Sequence, residues 1–380
     1  MFNAAGELRA RGRTVFDLSL GNPDLEPPAV WNESLVALLR NAPAGQHRYM
    51  NSRGIASVRQ FIARRESARY GLPFELDDVT MTVGAAGALN VVFRTLLDPG
   101  DEVLTPAPYF TEYRNYAANN DARLITAPTS ADFSLDVDAL LSKISERTRI
   151  LLLNSPNNPS GAVYDAASLA ALARGLERLA SPRLFVVEDT PYRDLMHDGS
   201  AAPSLLGQFP ATLLIGSHSK DLGLAGERIG YLLSSPEIVE RRALHQAFEH
   251  WQRTLGFVNA PALMQRSLEA TLGKPGATVD VASYARRCQW VAGQLAELGF
   301  VLPRPRAGFF LFARLPDSFV PAPGFESRDV AFCTELAREA CLAVPGVAFG
   351  CADHVRLALC GSDETLAGAL AAFRTVLRSR

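Results

Sequence analysis

Ala211-Thr212-Leu213-Leu214-Ile215-Gly216-Ser217-His218-Ser219-Lys220-Asp221-Leu222-Gly223-Leu224-Ala225-Gly226-Glu227-Arg228-Ile229-Gly230 is the stretch that decides how this chain reads. Its first part, Ala211 to Ser217, is mostly apolar and short, like a buried parallel strand. Behind it glycines recur at 223, 226 and 230, and such a loop lets backbone approach a ligand closely. Between strand and loop sits Lys220, one of only three lysines. The other basic residues are overwhelmingly arginine, which cannot be deprotonated in proteins, so an amine that must form an imine comes from this small set. A loop lysine is ordinarily a solvated charge. Lys274, in Gly273-Lys274-Pro275-Gly276, reads as a surface turn, and Lys143 as part of a polar helix face between Leu140 and Ile144. Lys220 alone has the surroundings of a reactive amine.

Outward from this block the chain alternates strands and helices. A strand from Asp78 to Val83 meets Gly84-Ala85-Ala86-Gly87, and an apolar helical stretch from Ala88 to Leu97 follows, stopped by Pro99-Gly100. Next come a strand at Glu102 to Thr105, a helix near Tyr109 to Asn119 and a strand at Arg123 to Ala127. Arg149 to Leu153 is another apolar run, followed by a turn cluster at Asn154 to Gly161 and a helix from Asp165 to Leu179. The strand Leu184 to Val187 ends in the acidic pair Glu188-Asp189. This alternation predicts an α/β fold with an open, largely parallel sheet covered on both faces. Ligands of such sheets bind beyond the carboxyl ends of the strands, and Gly84, Asn158, Asp189 and Lys220 all follow predicted strands. One site can gather all four.

A long helix is expected from Pro236 to about Arg253. Beyond it, Ser283 to Arg380 alternates helices with short strands such as Gly308 to Ala313 and His354 to Leu359. That part reads as a smaller α+β domain joined by the N-terminal segment. The expected division is a large domain over 42–270 and a small one over 1–41 and 271–380.

Composition narrows the function classes. A chain of 380 residues buries a substantial core, and its formal net charge of -2 gives no electrostatic case for nucleic acid. No apolar stretch is long enough to span a bilayer, and no charged-then-apolar leader starts at Met1, so the expected compartment is the cytoplasm. The five cysteines, Cys288, Cys333, Cys341, Cys351 and Cys360, are odd in number and lack CxxC spacing, which argues against disulfides and zinc. His245 and His250, five apart, share no helix face, and no HExxH occurs. No metal site is expected.

An imine-forming lysine, an acidic strand end and a phosphate cradle together suggest pyridoxal phosphate. Residue by residue the chain resembles the class I/II aminotransferases, fold-type I pyridoxal phosphate enzymes, from Gly21-Asn22-Pro23-Asp24 to Arg356. The lysine block keeps the family's spacing of serine, serine, lysine, arginine and glycine. Asn154-Ser155-Pro156-Asn157-Asn158-Pro159-Ser160-Gly161 is similar to the NPNNPTG signature, and Asp189-Thr190-Pro191-Tyr192 looks like D-x-x-Y. The resemblance implies a mainly parallel sheet in a large domain and a smaller α+β domain.

It also implies roles. Lys220 would hold the cofactor as a Schiff base and then, as the free amine, move a proton between the substrate's α-carbon and the cofactor's C4′, which requires a lowered pKa. Arg228 and Ser217 would bind the phosphate, with backbone N–H groups of Gly84, Ala85 and Ala86 at a helix N-terminus. Ala85 and Ala86 stand where many relatives carry hydroxyl residues, so fewer side-chain contacts are expected. Asp189 would pair with the pyridine nitrogen, while Asn158 and Tyr192 would hydrogen-bond the 3′ oxygen. Stacking on the ring falls to Phe110, with Tyr109 the close competitor. Tyr49 resembles the tyrosine that reaches the neighbouring subunit's phosphate, which implies a homodimer with shared sites.

Arg356, in Val355-Arg356-Leu357-Ala358-Leu359, is a charge inside a strand-like apolar run, costly without an anionic partner. By the resemblance it binds the substrate α-carboxylate, with Gly21 and Asn22 nearby and Asn158 also touching substrate. Arg253 is close to where dicarboxylate-specific relatives carry a second arginine from the other subunit, offset by one residue. The expected reaction is transfer of an amino group from an L-amino acid, aspartate- or glutamate-like by the Arg253 reading, to a 2-oxo acid such as 2-oxoglutarate. The same motifs also suit another course at the α-carbon: β-elimination, β-decarboxylation or ring closure. A regulator using this fold to sense an effector ranks far behind, because no DNA-binding segment precedes Gly21. Relatives commonly carry an N-terminal arm; here Gly21 is reached quickly, so the arm is short or the start is misplaced.

Overall fold

The computed structural model describes residues 2–42, 44–179 and 183–378. Met1, where no leader was expected, and residues 379–380 of the expected small domain lie outside them. Seven strands form the central sheet: β1 (Val79–Thr82), β2 (Glu102–Pro106), β3 (Arg123–Ala127), β4 (Thr148–Asn154), β5 (Phe185–Asp189), β6 (Thr212–Ser217) and β7 (Gly230–Ser234). Their order is β1-β7-β6-β5-β4-β2-β3. β7 pairs antiparallel with both β1 and β6, and the other pairs are parallel, so β7 alone runs against the rest.

Every residue of β4 and of β6 is buried, as continuous apolar runs in a sheet covered on both faces must be. Along β4 the side chains alternate: Ile150 and Leu152 enter the core under α1 (Gly84–Leu96), α2 (Glu112–Ala118) and Phe248. Leu151 and Leu153 enter the opposite core with Leu169 and Leu172 of α3 (Ala166–Leu179). Register decides which polar residues meet at the carboxyl ends. Asn154 lies opposite Asp189, and Asp189 opposite Ile215, two residues before Ser217.

A second sheet, β8 (Phe310–Arg314), β9 (Val344–Pro345) and β10 (His354–Ala358), is antiparallel in the order β9-β10-β8. It has its own core, in which Leu311, Val355 and Leu357 pack with Phe332, Phe373 and Cys288. Phe16–Asp17 pairs parallel with Cys341–Leu342 and so ties the N-terminal segment to this part.

Several element ends differ from the sequence reading. α1 begins at Gly84 rather than Ala88, taking the small-residue loop into its first turn. α2 begins at Glu112 rather than Tyr109, because the Tyr109 N–H donates to the Phe349 carbonyl and is held out of the helix. The helix expected from Pro236 is α4, Arg241–Thr254. Ahead of it the Ile238 N–H donates to the Ser235 carbonyl in a turn that tucks Ile238 into the core and leaves Val239 exposed. Lys143 stands just past the end of its helix, which closes at Ser142.

Candidate active site

The carboxyl ends of the central strands open into a cavity of about 390 Å³, closed on its far side by Ser19, Gly21, Phe310 and Arg356. Lys220, Asp189, Asn158, Tyr192, Ser217 and Arg228 all line it. Its size suits a cofactor-sized ligand.

Lys220 leaves β6 after Ser217 and is half-buried, with Nζ donating to the Gly21 carbonyl at 2.6 Å and lying 5.6 Å from the Phe309 ring centre. Burial, reinforced by the positive charges of Arg228 and Arg356, pushes the amine down to about 8. Asp189 closes β5. Its Oδ2 accepts from the Tyr113 hydroxyl at 2.6 Å, while Oδ1, equally buried, has no hydrogen-bond partner among the described residues. Burial raises the carboxyl to about 6, against the pull of the Tyr113 hydrogen bond. The Asn154 side chain fixes the turn between, donating to the Asp189 carbonyl at 2.8 Å and accepting from the Asn158 N–H at 2.7 Å. Tyr192 packs edge-on against Phe309 and Phe310, and burial followed by the Asp189 charge raises its hydroxyl.

At the other end of the cavity, Ala85 and Ala86 present the first turn of α1, whose N-terminus no side chain caps. Free N–H groups at the start of a helix of this length form an anion site. Gly84 behind them has φ 75, a left-handed conformation that favours glycine, and a Cβ there would press on the Arg228 guanidinium at 2.8 Å from Nη2. Arg228 is held in turn by the Ala225 carbonyl at 2.8 Å, in a left-handed conformation (φ 52) unusual for a side chain of its size. The Ser217 hydroxyl donates to that of Ser219 at 3.0 Å.

Arg356 lies on β10 between the Phe310 and Phe349 rings, 5.0 and 4.9 Å from their centres. Its fork donates to Asn158 Oδ1 at 3.3 Å and to the Ser19 carbonyl, and among the described residues Nε has no partner and no carboxylate pairs with it. Burial lowers it to about 10. A guanidinium so placed lacks an anion.

Of the two stacking candidates, Phe110 lines the cavity. Tyr109 is turned into the core, where its ring meets Gly350 and its hydroxyl accepts from Arg114. Asn22, Tyr49 and Arg253 are exposed and do not line the cavity; Tyr49 is 88% exposed. Sequence reasoning missed Tyr113, Phe310 and Phe349, and counted Ser219 in the lysine block without giving it a role. Tyr113 lies three residues beyond Phe110, one helical turn, the only signal that could have singled it out.

The residues fit pyridoxal phosphate. The unpartnered Asp189 Oδ1 suits a ring N–H, the α1 N-terminus with Arg228 and Ser217 suits a phosphate, and the lowered Lys220 amine suits a carbonyl.

Residues 13–373 match the family model for aminotransferase class I and II. The aspartate aminotransferase of Thermotoga maritima is 30% identical over 99% of this chain and 95% of its own length. The aspartate/prephenate aminotransferase of Thermus thermophilus is 30% identical over 98% and 93%. Among solved structures, an amino transferase of Eubacterium rectale superposes with a TM-score of 0.91 at 32% identity, covering 100% of this chain and 94% of that one.

Proposed function

The chain belongs to the class I and II aminotransferases and is a pyridoxal phosphate-dependent enzyme; from that premise we propose how its own residues move an amino group from an L-amino acid to a 2-oxo acid. One observation carries the assignment of roles: Lys220, Asp189 and Arg356 share one cavity, yet among the described residues neither cation is paired with the Asp189 carboxylate. Charges kept apart in a buried site are held for ligands.

When bound, pyridoxal phosphate supplies the carbonyl that takes up the amino group and the ring that accepts the electron pair of the broken Cα–H bond. Arg356 binds the substrate α-carboxylate with its fork, and with Asn158 turns Cα so that its hydrogen faces Lys220. Lys220 would take that proton from Cα and deliver it to the cofactor's C4′, across the intervening nitrogen, a task suited to an amine near 8. Asp189 keeps the ring nitrogen protonated, and Tyr192 and Asn158 hold the ring hydroxyl. Arg228, Ser217 and the first turn of α1 hold the phosphate, and Phe110 covers the ring.

The division into 42–270 and 1–41 with 271–380 is supported by the two sheets, β1–β7 falling in the first range and β8–β10 in the second. The protein works as a cytoplasmic homodimer in which Tyr49 and Arg253, both exposed on one chain, complete the neighbouring site. Five free cysteines favour a reducing compartment.

We take the substrates to be aspartate- and glutamate-like, following the relatives' names, with 2-oxoglutarate as acceptor. The test is a single half-reaction: purified protein loaded with cofactor is mixed with aspartate or glutamate and no acceptor. One equivalent of oxo acid per bound cofactor and loss of the visible absorbance are expected. Release of ammonia or carbon dioxide in place of that equivalent overturns the reading, as does failure to bind cofactor. Arg253→Ala should lower kcat/KM for both acidic substrates by roughly thirtyfold while leaving alanine and an aromatic amino acid nearly unchanged. Equal values for all four substrates in the unaltered protein would refute the acidic preference.

A further inference from the structure

We propose that Tyr116 is a cofactor-binding residue of this chain: its hydroxyl stands at the phosphate end of the cavity and donates to the phosphate, in place of the side-chain hydroxyls that Ala85 and Ala86 do not supply. The proposal rests on the functional reading above for the identity of the anion. The placement of the hydroxyl rests on the chain alone.

Tyr116 lies in the second turn of α2, and its ring meets Phe93 of α1 edge-on, with centres 6.3 Å apart. Ala86, Leu89 and Phe93 are spaced i, i+3 and i+7, so they share one face of α1. Phe93 is fully buried and does not line the cavity, whereas Leu89, Ala86 and Tyr116 do. The tyrosine therefore runs along that face, its ring anchored on Phe93 and its polar end toward the first turn of α1, whose N–H groups no side chain caps. The charges of Asp189 and Arg228, both in the cavity wall, act on its hydroxyl, as they must if it points there.

The electrostatics suit a donor to an anion. Burial pushes the Tyr116 hydroxyl up to about 12, the Glu112 and Asp189 charges add to the rise, and Arg228 opposes it. A phenol so shifted stays protonated throughout the neutral range, so it donates without bringing a negative charge of its own. Tyr113, one turn earlier, commits its hydroxyl to Asp189. Among the described residues the hydroxyl of Tyr116 has no partner; only its main-chain carbonyl is engaged, accepting from Asn120 Nδ2 at 2.9 Å. A half-buried tyrosine hydroxyl usually finds a partner, and a phosphate held by Arg228 and the first turn of α1 lies on its side of the cavity. Glu112 is the protein group that competes for it: this carboxylate lines the same wall, with Oε2 accepting from Asn115 Nδ2 at 2.9 Å.

Tyr116→Phe keeps the ring on Phe93 and removes the donor. Pyridoxal phosphate and pyridoxal share a ring and differ in the phosphate, so titrating each into cofactor-free protein separates the donor from the packing. The variant should bind pyridoxal phosphate about ten- to a hundredfold more weakly, as befits a lost hydrogen bond to a charged group, and pyridoxal within about threefold of wild type. Inorganic phosphate, titrated into cofactor-free protein and followed by phosphorus NMR, should also bind about tenfold more weakly. The same losses should appear when Tyr116→Phe is made beside Glu112→Gln.

Equal weakening of pyridoxal phosphate and pyridoxal would mark a packing role and overturn the proposal. So would a loss that disappears beside Glu112→Gln, because the hydroxyl would then serve that carboxylate. If Tyr116→Phe does not fold, 3-fluorotyrosine in place of Tyr116 keeps the shape and strengthens the donor, and starting from about 12 it remains protonated at neutral pH. Pyridoxal phosphate must then gain affinity relative to pyridoxal, and an unchanged ratio overturns the proposal equally. Wild-type protein that binds neither pyridoxal phosphate nor pyridoxal would overturn the functional reading. The comparison with inorganic phosphate needs no cofactor, and equal affinity in wild type and Tyr116→Phe overturns the Tyr116 assignment by itself.

Discussion

Lys220→Ala is expected to abolish the visible absorbance that appears when cofactor binds the wild-type protein, and to lower kcat by about 10⁴-fold. The effect is large because, on the proposed reading, the residue serves two purposes with one amine. Alanine removes the group that attaches the cofactor and the group that carries the proton, and neither Lys143 nor Lys274 lines the cavity to replace it. A small exogenous amine should restore part of the rate by moving the proton, without restoring attachment.

The pH dependence follows from the sign of the shift. The amine attacks only when unprotonated, and burial lowers it to about 8 from the ordinary 10.5. Loading of cofactor-free protein should therefore speed up as pH rises through about 8 and level off above it. At pH 8 about half the amine is free, against under about a hundredth for an unperturbed lysine. A wild-type loading rate that climbs steadily toward pH 10 would show that Lys220 is not held this way. An absorbance that survives Lys220→Ala would show that the attachment lies elsewhere.

Arg356→Leu should lower kcat/KM for every amino acid substrate by about 10²- to 10³-fold while leaving the cofactor's absorbance in place. The second half of that outcome separates it from Lys220→Ala. Arg356 is already bonded to Asn158 and to the Ser19 carbonyl and packed between two phenylalanine rings, so its orientation is set before a carboxylate arrives. What the leucine variant loses is the fork itself. Arg356→Lys should recover little, because a point charge on a flexible stem offers neither two parallel donors nor a plane for Phe310 and Phe349 to flank. The comparison is made by steady-state kinetics with two amino acids of different side chain. Values within about threefold of wild type in both variants would mean that the α-carboxylate is bound elsewhere.

Most of the site was legible in sequence because its chemistry demands particular residue types at strand ends. Lys220, Asp189 and Asn158 each follow an apolar run, and Arg356 announces itself as a charge within one. The unread part has a common cause. Tyr113, Phe310 and Phe349 are aromatics with ordinary core periodicity, and nothing local distinguishes a ring that fills space from one whose hydroxyl or face meets a charge. Phe110 was preferred to Tyr109 by resemblance alone, since the physical reason for the choice lies in Gly350, more than two hundred residues away. The antiparallel β7 went unread because Gly230-Tyr231-Leu232-Leu233-Ser234 follows the lysine loop without a break in composition. The start of α4 was misjudged because a hydrogen-bonded turn at Ser235–Ile238, with Ile238 in the core, precedes the helix. Tyr49 and Arg253 are exposed away from the cavity of this chain, and their proposed roles lie in a neighbouring subunit's site.

The Tyr109 N–H bonded to the Phe349 carbonyl, with the Tyr109 ring seated on Gly350, joins two segments that meet nowhere along the chain. On one side of this joint the next residue is Phe110; on the other, Phe349 flanks Arg356. A shift of Arg356 that carries Phe349 with it must therefore break this joint or move Phe110 as well. The two walls of the cavity are thus tied to one another by a main-chain hydrogen bond behind them, between residues that do not themselves line it.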